Sequence, residues 1–372
     1  MRRLIITLEY PPVIGGIATY VFNLASHLPV QDTVVYAPTN KKQAEFDFKN
    51  PWKTYRLDPY WGFIWPKWLR LFFQIITLIN QEKIEMLYIN HILPVGYVAY
   101  LVKKFKKIPF TLFLHGTDIT VAVGNKSKRN KFIKLCKEAK TVVVNSEFLK
   151  NKLLDIVDSL NDVRVLYPCP SDLFLEVQVD KLEIAALRSR LALGGKKVIL
   201  TVARMVEGKG FPHMIRMLPE ILKKVPNMVW LVIGDGPKNK EIFEMVKKNS
   251  LQNVVRFLGN VDPQELYKYY HLADLFVLLT HKDETHEEGW GTVFLEAAAC
   301  GLPVVAGRVG GVEEAVLDGQ TGTVVDVYND QSVIPGIINI LTHQDIAQKM
   351  GQAGKERVVN YFRWKSEVSK LL

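Results

Sequence analysis

The sequence predicts an α/β protein made of two doubly wound, Rossmann-like domains that face each other across a cleft. Short apolar runs alternate with helix-length segments twice along the chain, as parallel sheets with crossover helices require. The pattern loosens between Tyr167 and Lys197, where Pro168, Pro170 and Gly194-Gly195 fall in a polar stretch. The length of 372 residues suits two domains at about 150 residues each.

The elements support this in order. Leu4 to Leu8 is a buried-strand candidate, followed by Pro11-Pro12, the pair Gly15-Gly16 and a helical pattern from Ile17 to Leu28. Strand, glycine loop and helix open a βα unit. Further strands are expected at Thr33 to Tyr36, Met86 to Ile89, Phe110 to Leu114, Thr141 to Val144 and Arg164 to Leu166. They complete a first domain over 1–168, with 169–195 as a linker. In the second half, strands are expected at Val198 to Ala203, Val229 to Ile233, Val254 to Phe257, Leu275 to Leu279, Pro303 to Ala306 and Thr323 to Val325. They give a second domain over 196–355.

Composition narrows the classes further. Apolar residues make up 48% and charged residues 23%, which excludes a disordered or collagen-like chain. Three cysteines, Cys136, Cys169 and Cys300, form no metal-ligand spacing and no disulfide framework, so a reducing compartment is expected. The run Leu4 to Leu8 is too brief for a signal peptide, and Leu71 to Ile79 and Leu93 to Val102 fall short of the ~20 residues that span a bilayer. A cytoplasmic protein is expected, peripheral on the inner face of the plasma membrane if it meets one. The net charge of +10 is uneven: Met1 to Pro168 holds 24 Lys/Arg against 13 Asp/Glu, and the rest 24 against 25. An excess of +11 in the first half suits an anionic partner, whether nucleic acid, lipid or substrate.

Four loops carry candidate chemistry. Gly15 and Gly16 would let helix-start amides approach a phosphate; a tight turn without ligand is the alternative. Neither GGIATY from Gly15 nor the Gly234-Asp235-Gly236 turn completes a dinucleotide motif. His115, in His115-Gly116-Thr117-Asp118, stands at the carboxyl edge of a strand, where open α/β sheets bind ligands; a histidine bonded only within its own turn is the alternative. Arg204 and Lys209, in ARMVEGKGF, follow a strand and offer a planar fork and a point charge to one anion, a combination suited to a departing diphosphate; a solvated surface pair is the alternative, disfavoured by the position after a strand.

The densest constellation runs Glu288-Gly289-Trp290-Gly291-Thr292-Val293-Phe294-Leu295-Glu296. A helix beginning near Gly291 would present the free amides of Thr292 and Val293 to an anion, with Glu296 roughly 7.5 Å further along its axis. Glu288 suits sugar hydroxyls and Glu296 a ribose, because vicinal hydroxyls match a carboxylate acceptor. The preceding stretch, HKDETHEE from His281, fits no usual zinc spacing and reads as a charged loop. No Asp-x-Asp occurs to hold a divalent ion on a nucleotide diphosphate. No metal and no cofactor is therefore expected, and the leaving-group charge falls to Arg204, Lys209 and the helix amides.

Taken together, these residues resemble glycosyltransferase family 4, retaining enzymes of the two-Rossmann GT-B fold. The resemblance rests on Glu288 with Glu296, the Arg204/Lys209 loop, Gly15-Gly16, His115-Gly116-Thr117-Asp118, Gly234-Asp235-Gly236 and Gly310-Gly311 with Glu313, in the family's order. It implies metal-free transfer of a sugar from a nucleotide-diphosphate donor with retained configuration. Arg204 and Lys209 would bind the diphosphate, Gly16 would allow the first domain to close on it, and Glu296 and Glu288 would hold ribose and sugar. His115 would contact the sugar near its reacting carbon. Val261 falls where the family pockets the nucleobase. The segment Tyr361-Phe362-Arg363-Trp364 resembles the family's last helix, so 356–372 is expected to cross back to the first domain. The stretch EGWGTVFLEAAACGLPVVAGRVGG is most similar to mannosyltransferases that use GDP-mannose, including those acting on phosphatidylinositol mannosides. The family's usual Asn-Gly-Val-Asp is replaced by Cys169-Pro170-Ser171-Asp172.

The basic first half bears on the acceptor. Trp61, Phe63, Trp65, Trp68, Phe72 and Phe73 interleave with Lys67 and Arg70, ahead of lysines at 103, 104, 106 and 107 and the cluster Lys126 to Lys134. Aromatic anchors with cations suit an anionic membrane interface and a lipid acceptor; a core-facing aromatic stripe is the alternative. A UDP-sugar transferase of the same fold, a nucleotide-sugar epimerase and a non-catalytic lipid or nucleic-acid binder are the rival functions. With the donor motifs complete, no nucleic-acid partner is expected.

Overall fold

The computed structural model describes residues 1–62, 65–116, 118–120, 124, 126–283 and 287–372. Its contacts divide the chain into two compact units, Met1–Pro168 with Trp364–Leu372, and Cys169–Arg363.

The first unit is built on seven parallel strands: β1 Arg3–Ile6, β2 Thr33–Ala37, β3 Lys53–Arg56, β4 Met86–Ile89, β5 Phe110–Leu114, β6 Thr141–Val144 and β7 Val163–Val165. Their order is β3-β2-β1-β4-β5-β6-β7. Leu4, Ile5 and Ile6 are fully buried, because helices cover both faces of the sheet and leave no polar alternation. The sequence reading missed β3. Its residues, KTYR, are exposed to half-buried and pair only with β2, so this edge strand carries no apolar run.

The C-terminal helix Trp364–Ser369 belongs to this unit and packs on the helix Gly16–His27. Trp364, 1% exposed, meets the Tyr20 ring edge-on at 5.2 Å and lies 6.2 Å from the His27 ring. The buried Glu367 accepts the Tyr167 backbone N–H at 2.9 Å and the Lys370 ammonium at 2.7 Å.

The second unit repeats the pattern with β8 Lys197–Val202, β9 Met228–Ile233, β10 Val255–Gly259, β11 Leu275–Leu278, β12 Val304–Gly307 and β13 Gly322–Val325. Its order is β10-β9-β8-β11-β12-β13. The segment read as a linker, 169–195, lies in this unit and includes the helix Lys181–Arg190. The long helix Gln344–Tyr361 also stays with the second unit, and the divide falls after Arg363 rather than at residue 356. Its Gly351 is packed so tightly that a Cβ there would stand 2.0 Å from the Gly301 carbonyl oxygen.

Each sheet reverses its winding once, between β1 and β4 in the first unit and between β8 and β11 in the second. Loops leaving neighbouring strands part at such a switch point and open a crevice at the carboxyl ends. The candidate side chains gather at these two places.

Candidate functional site

In the second unit, the loop leaving β8 carries Arg204 and Lys209. Its shape is set by close approaches of backbone. Gly210 has φ +75°, and a Cβ there would fall 2.1 Å from the Leu279 carbonyl oxygen at the end of β11. Next to it, the His281 N–H donates to the Gly208 carbonyl at 2.9 Å. Lys209 is thereby held between two fixed glycines at the switch point. The β9 turn supports the other side of the loop: Gly234, with φ +129°, has space for no Cβ against the Ala203 carbonyl, and the Met205 N–H donates to Asp235 O at 3.0 Å. Gly234 N–H in turn donates to Gly259 O at 2.8 Å, which brings the loop carrying the half-buried Val261 against the same turn.

The two expected cations have different surroundings. The Lys209 ammonium donates to Glu288 Oε2 at 2.5 Å, with both side chains largely buried. Arg204 is exposed and has no side-chain partner among the described residues. Burial works to raise the Glu288 carboxyl, but the Lys209 charge and hydrogen bond, with the Trp290 backbone N–H, hold it below the ordinary carboxylate value. The Glu288 carbonyl accepts the Gly311 N–H at 3.1 Å, so the Gly310-Gly311 loop fixes Glu288 from behind. Glu313 turns away into an ion pair with Arg308.

Gly291 caps the helix Thr292–Ala299 with left-handed backbone, φ +84° and ψ 69°. A Cβ there would meet the Phe294 ring at 2.6 Å, and the cap makes no side-chain hydrogen bond. The amides of Thr292 and Val293 belong to the first turn, whose N–H groups have no partner within the helix. Four residues after Thr292, Glu296 is half-buried and accepts the Tyr270 hydroxyl at 2.8 Å. Burial pushes Glu296 up to about 7, against the lowering effect of that hydroxyl. Glu288 and Glu296 therefore occupy contrasting states, one an ion-paired carboxylate and the other a carboxyl that titrates near neutrality.

In the first unit, His115 lies beyond β5 between two amides. Its Nε2 is 3.4 Å from Asn90 Oδ1 and its Nδ1 is 3.4 Å from Asn145 Nδ2. With the amides so oriented, the proton sits on Nε2 and Nδ1 accepts. The Tyr20 ring stands edge-on at 5.0 Å, and the His115 backbone N–H donates to Asp118 Oδ2 at 3.1 Å. Burial, with a smaller contribution from His91, pushes the imidazole down to about 3. His91 is itself lowered to about 4 by burial, and the Thr7 hydroxyl lies 3.3 Å from its Nε2. Both histidines are neutral at physiological pH. Gly15 and Gly16 open the helix Gly16–His27; a Cβ at Gly15 would lie 3.4 Å from Glu9 Oε2, and one at Gly16 would meet nothing within 4 Å.

Sequence reasoning missed Asn90, His91, Asn145 and Tyr270. Asn90-His91 directly follows β4 as His115 follows β5, so the same strand-end argument would have found them. Tyr270 lies in the helix Leu266–Leu272 and reads as an ordinary core aromatic. Phe63, Thr117 and the residues Glu284, Thr285 and His286 of the charged loop lie outside the described residues.

The aromatic stretch divides between core and surface. Phe72 and Trp68 pack against the first core, Trp68 edge-on to Tyr97 at 5.1 Å. Trp65 and Phe73 are 88% and 53% exposed, and Phe105, 6.3 Å from Phe72, is 72% exposed. Lys104 and Lys134 converge on Tyr100 at 5.1 and 4.8 Å. Among the described residues no helix is long and apolar enough to cross a membrane.

The twice-repeated strand order, with one switch point in each sheet, is the two-Rossmann arrangement of the GT-B fold. Solved structures share the fold. An Anabaena protein, Alr3699/HepE, solved with UDP and glucose, superposes with a TM-score of 0.85 at 18% identity over 100% of this chain and 98% of its own. Sucrose-phosphate synthase from Thermosynechococcus elongatus gives 0.83 at 20% identity, over 100% of this chain and 97% of its own. The chain belongs to the glycosyltransferases that pair a Glycosyltransferase Family 4 domain, matched over residues 14–169, with a Glycosyl transferases group 1 domain, matched over residues 184–357. A relative in Mycolicibacterium smegmatis, a GDP-mannose-dependent alpha-(1-6)-phosphatidylinositol monomannoside mannosyltransferase, is 27% identical over 99% of this chain and 96% of its own length. The N-acetyl-alpha-D-glucosaminyl L-malate synthase of Bacillus anthracis is 28% identical over 81% of this chain and 77% of its own.

Proposed function

We propose that this glycosyltransferase moves mannose from GDP-mannose to a lipid-linked acceptor with retention of configuration. The observation that carries the donor site is the Lys209–Glu288 ion pair at the switch point of the second sheet, ahead of the amides of Thr292 and Val293 and on the same loop as Arg204, which has no side-chain partner among the described residues. Arg204, Lys209 and the amides bind the diphosphate and take up charge as it leaves. Glu288 holds the sugar and Glu296 the ribose, Val261 lies against the base, and Gly15 and Gly16 leave backbone accessible to phosphate. His115, neutral and with its tautomer fixed, hydrogen-bonds the sugar near the reacting carbon; the low value of its imidazole makes it a poor proton acceptor. The departing phosphate accepts the acceptor's proton as the new bond forms on the same face.

Support for mannose comes from the full-length likeness to the mycolicibacterial mannosyltransferase. Support for a lipid acceptor comes from the same relative and from the exposed Trp65, Phe73 and Phe105, the last flanked by the exposed Lys104, Lys106 and Lys107, a combination that suits an anionic membrane surface. The test is thermal shift and calorimetry with GDP, UDP, ADP and their sugar derivatives, since a ligand of the native state raises apparent stability. GDP and GDP-mannose raising the transition, followed by mannosyl transfer into anionic lipid extracts, is the expected result. UDP ligands binding instead would overturn the donor assignment.

A further inference from the structure

The buried hydroxyl of Tyr270 is spent on Glu296. Tyr270 is fully buried, its ring stacked on Phe276 at 5.6 Å and edge-on to Phe174 at 5.5 Å, so its rotamer is fixed by packing on two sides. Its O–H donates to Oε2 of Glu296 at 2.8 Å. That bond ties one carboxylate oxygen to a rigid ring and leaves Oε1 without a hydrogen-bond partner among the described residues. We propose that Tyr270 is a positioning residue that presents Glu296 to the vicinal hydroxyls of a nucleotide ribose, and so makes the second unit select ribonucleotides in a pH-dependent manner. This rests on the reading of Glu296 as the ribose acceptor.

The surroundings set the sign of the pH effect. The Tyr270 hydroxyl faces Glu296 from the helix Leu266–Leu272 and favours the charged form, and burial opposes it more strongly. On Glu296's own side, the Cys300 thiol is pushed up by burial and by Glu296. Lys355, on the packed helix Gln344–Tyr361, acts on Cys300 and on the neighbouring His271. The ionised carboxylate accepts at both oxygens and binds donors more strongly, whereas the protonated carboxyl gives up acceptor capacity to its own O–H. Ribose recognition therefore strengthens as pH rises through about 7, and loss of the Tyr270 hydroxyl shifts that rise to higher pH.

The test uses GDP and UDP, each as the ribonucleotide and as the 2′-deoxy counterpart, titrated calorimetrically from pH 5.5 to 8.5 into the wild-type protein, Tyr270→Phe, Glu296→Gln and the double variant. The wild type should prefer the ribonucleotide by about tenfold at pH 8, as for loss of one hydrogen bond to a charged group, and less at pH 6. Tyr270→Phe should lose most of the preference at pH 7 and move its midpoint upward. In the Glu296→Gln background, Tyr270→Phe should change nothing further. No ribose preference in the wild type would overturn the Glu296 reading itself. A wild-type preference that Tyr270→Phe keeps in full, with the same midpoint, would overturn the role of Tyr270 alone. If Tyr270→Phe fails to fold, the wild type still decides: a ribose preference flat across the pH range would overturn the proposal.

Discussion

The two switch points gather different kinds of residue. At the first, the side chains around the histidines are neutral: His115 and His91 are held as free imidazoles by burial, and Asn90, Asn145 and Thr7 lie against their rings, while the carboxyl group of Asp118 meets the His115 backbone N–H. At the second, the groups are charged or close to it: Arg204, Lys209, Glu288 and Glu296. Neutral donors and acceptors suit hydroxyls, whose hydrogen bonds cost little to exchange with water. Fixed charges suit a diphosphate, whose stabilisation must grow as the bond to sugar breaks. The same strand order thus carries two kinds of side chain at its switch points, and the loops and helix starts that follow the strands distinguish them.

The contrast breaks most visibly at Glu288. Replacing it with Ala should lower kcat by about 10²–10³, the size of loss seen when one group stabilising a transition state is removed. GDP affinity should hold or tighten, because Lys209 loses its competing partner. Steady-state kinetics and calorimetry on the same variant check both halves, and unchanged kcat would remove Glu288 from the site. Lys209→Ala comes next, with GDP binding weakened about 10- to 100-fold, as expected for a charge-assisted contact. Arg204→Ala should cost less at physiological salt, since an exposed cation is already screened.

The pH dependence sharpens the comparison. A histidine whose folded value is depressed binds fewer protons in the native than in the unfolded state below its usual 6.5. Stability from His115 and His91 is therefore present above pH 6.5 and lost as pH falls toward about 3 and 4. Glu296, raised to about 7, has the opposite sign: its stabilising contribution is present below the unfolded value of 4.5 and lost as pH rises through about 7. Melting curves across pH should show His115→Gln flattening the acid side and Glu296→Gln raising the ligand-free transition at pH 8. Turnover should show no histidine limb between pH 5 and 8. A limb there that disappears in His115→Gln would contradict the neutral imidazole.

How much of this was legible depended on what each residue's role requires of its neighbours. Buried parallel strands must be apolar throughout, so β1, β4, β8 and β11 stand out in the sequence, whereas the edge strand Lys53–Arg56 needs no such run and stayed hidden. Gly210, Gly234 and Gly291 announce themselves because positive φ or backbone contact excludes a side chain. The pairing of Lys209 with Glu288 spans 79 residues and follows from tertiary structure, not spacing. Tyr270 was illegible because its ring serves the core and only its hydroxyl serves the site. The aromatic stretch from Trp61 to Phe73 mixed two roles that periodicity alone did not part: Phe72 packs inward while Trp65 and Phe73 stay in solvent.

The smallest expected effect tests the neutral site on its own terms. Asn90 and Asn145 each stand 3.4 Å from a ring nitrogen of His115, at the long end for a hydrogen bond. Either amide alone contributes little energy, and its task is to choose which nitrogen carries the proton. Asn145→Ala should lower kcat about threefold, within the ~0.5–1.5 kcal/mol of a neutral hydrogen bond, with no change in the pH profile, because the imidazole does not titrate in the working range. Nitrogen-15 chemical shifts of His115 should show the Nε2–H tautomer in the wild type and a mixture in the variant. Asn145→Asp sets neutrality itself against charge: a carboxylate beside Nδ1 favours the imidazolium and should bring a histidine titration into the accessible range. An Asp variant with an unchanged tautomer and a flat profile would mean that burial alone, without the amides, keeps the first switch point neutral.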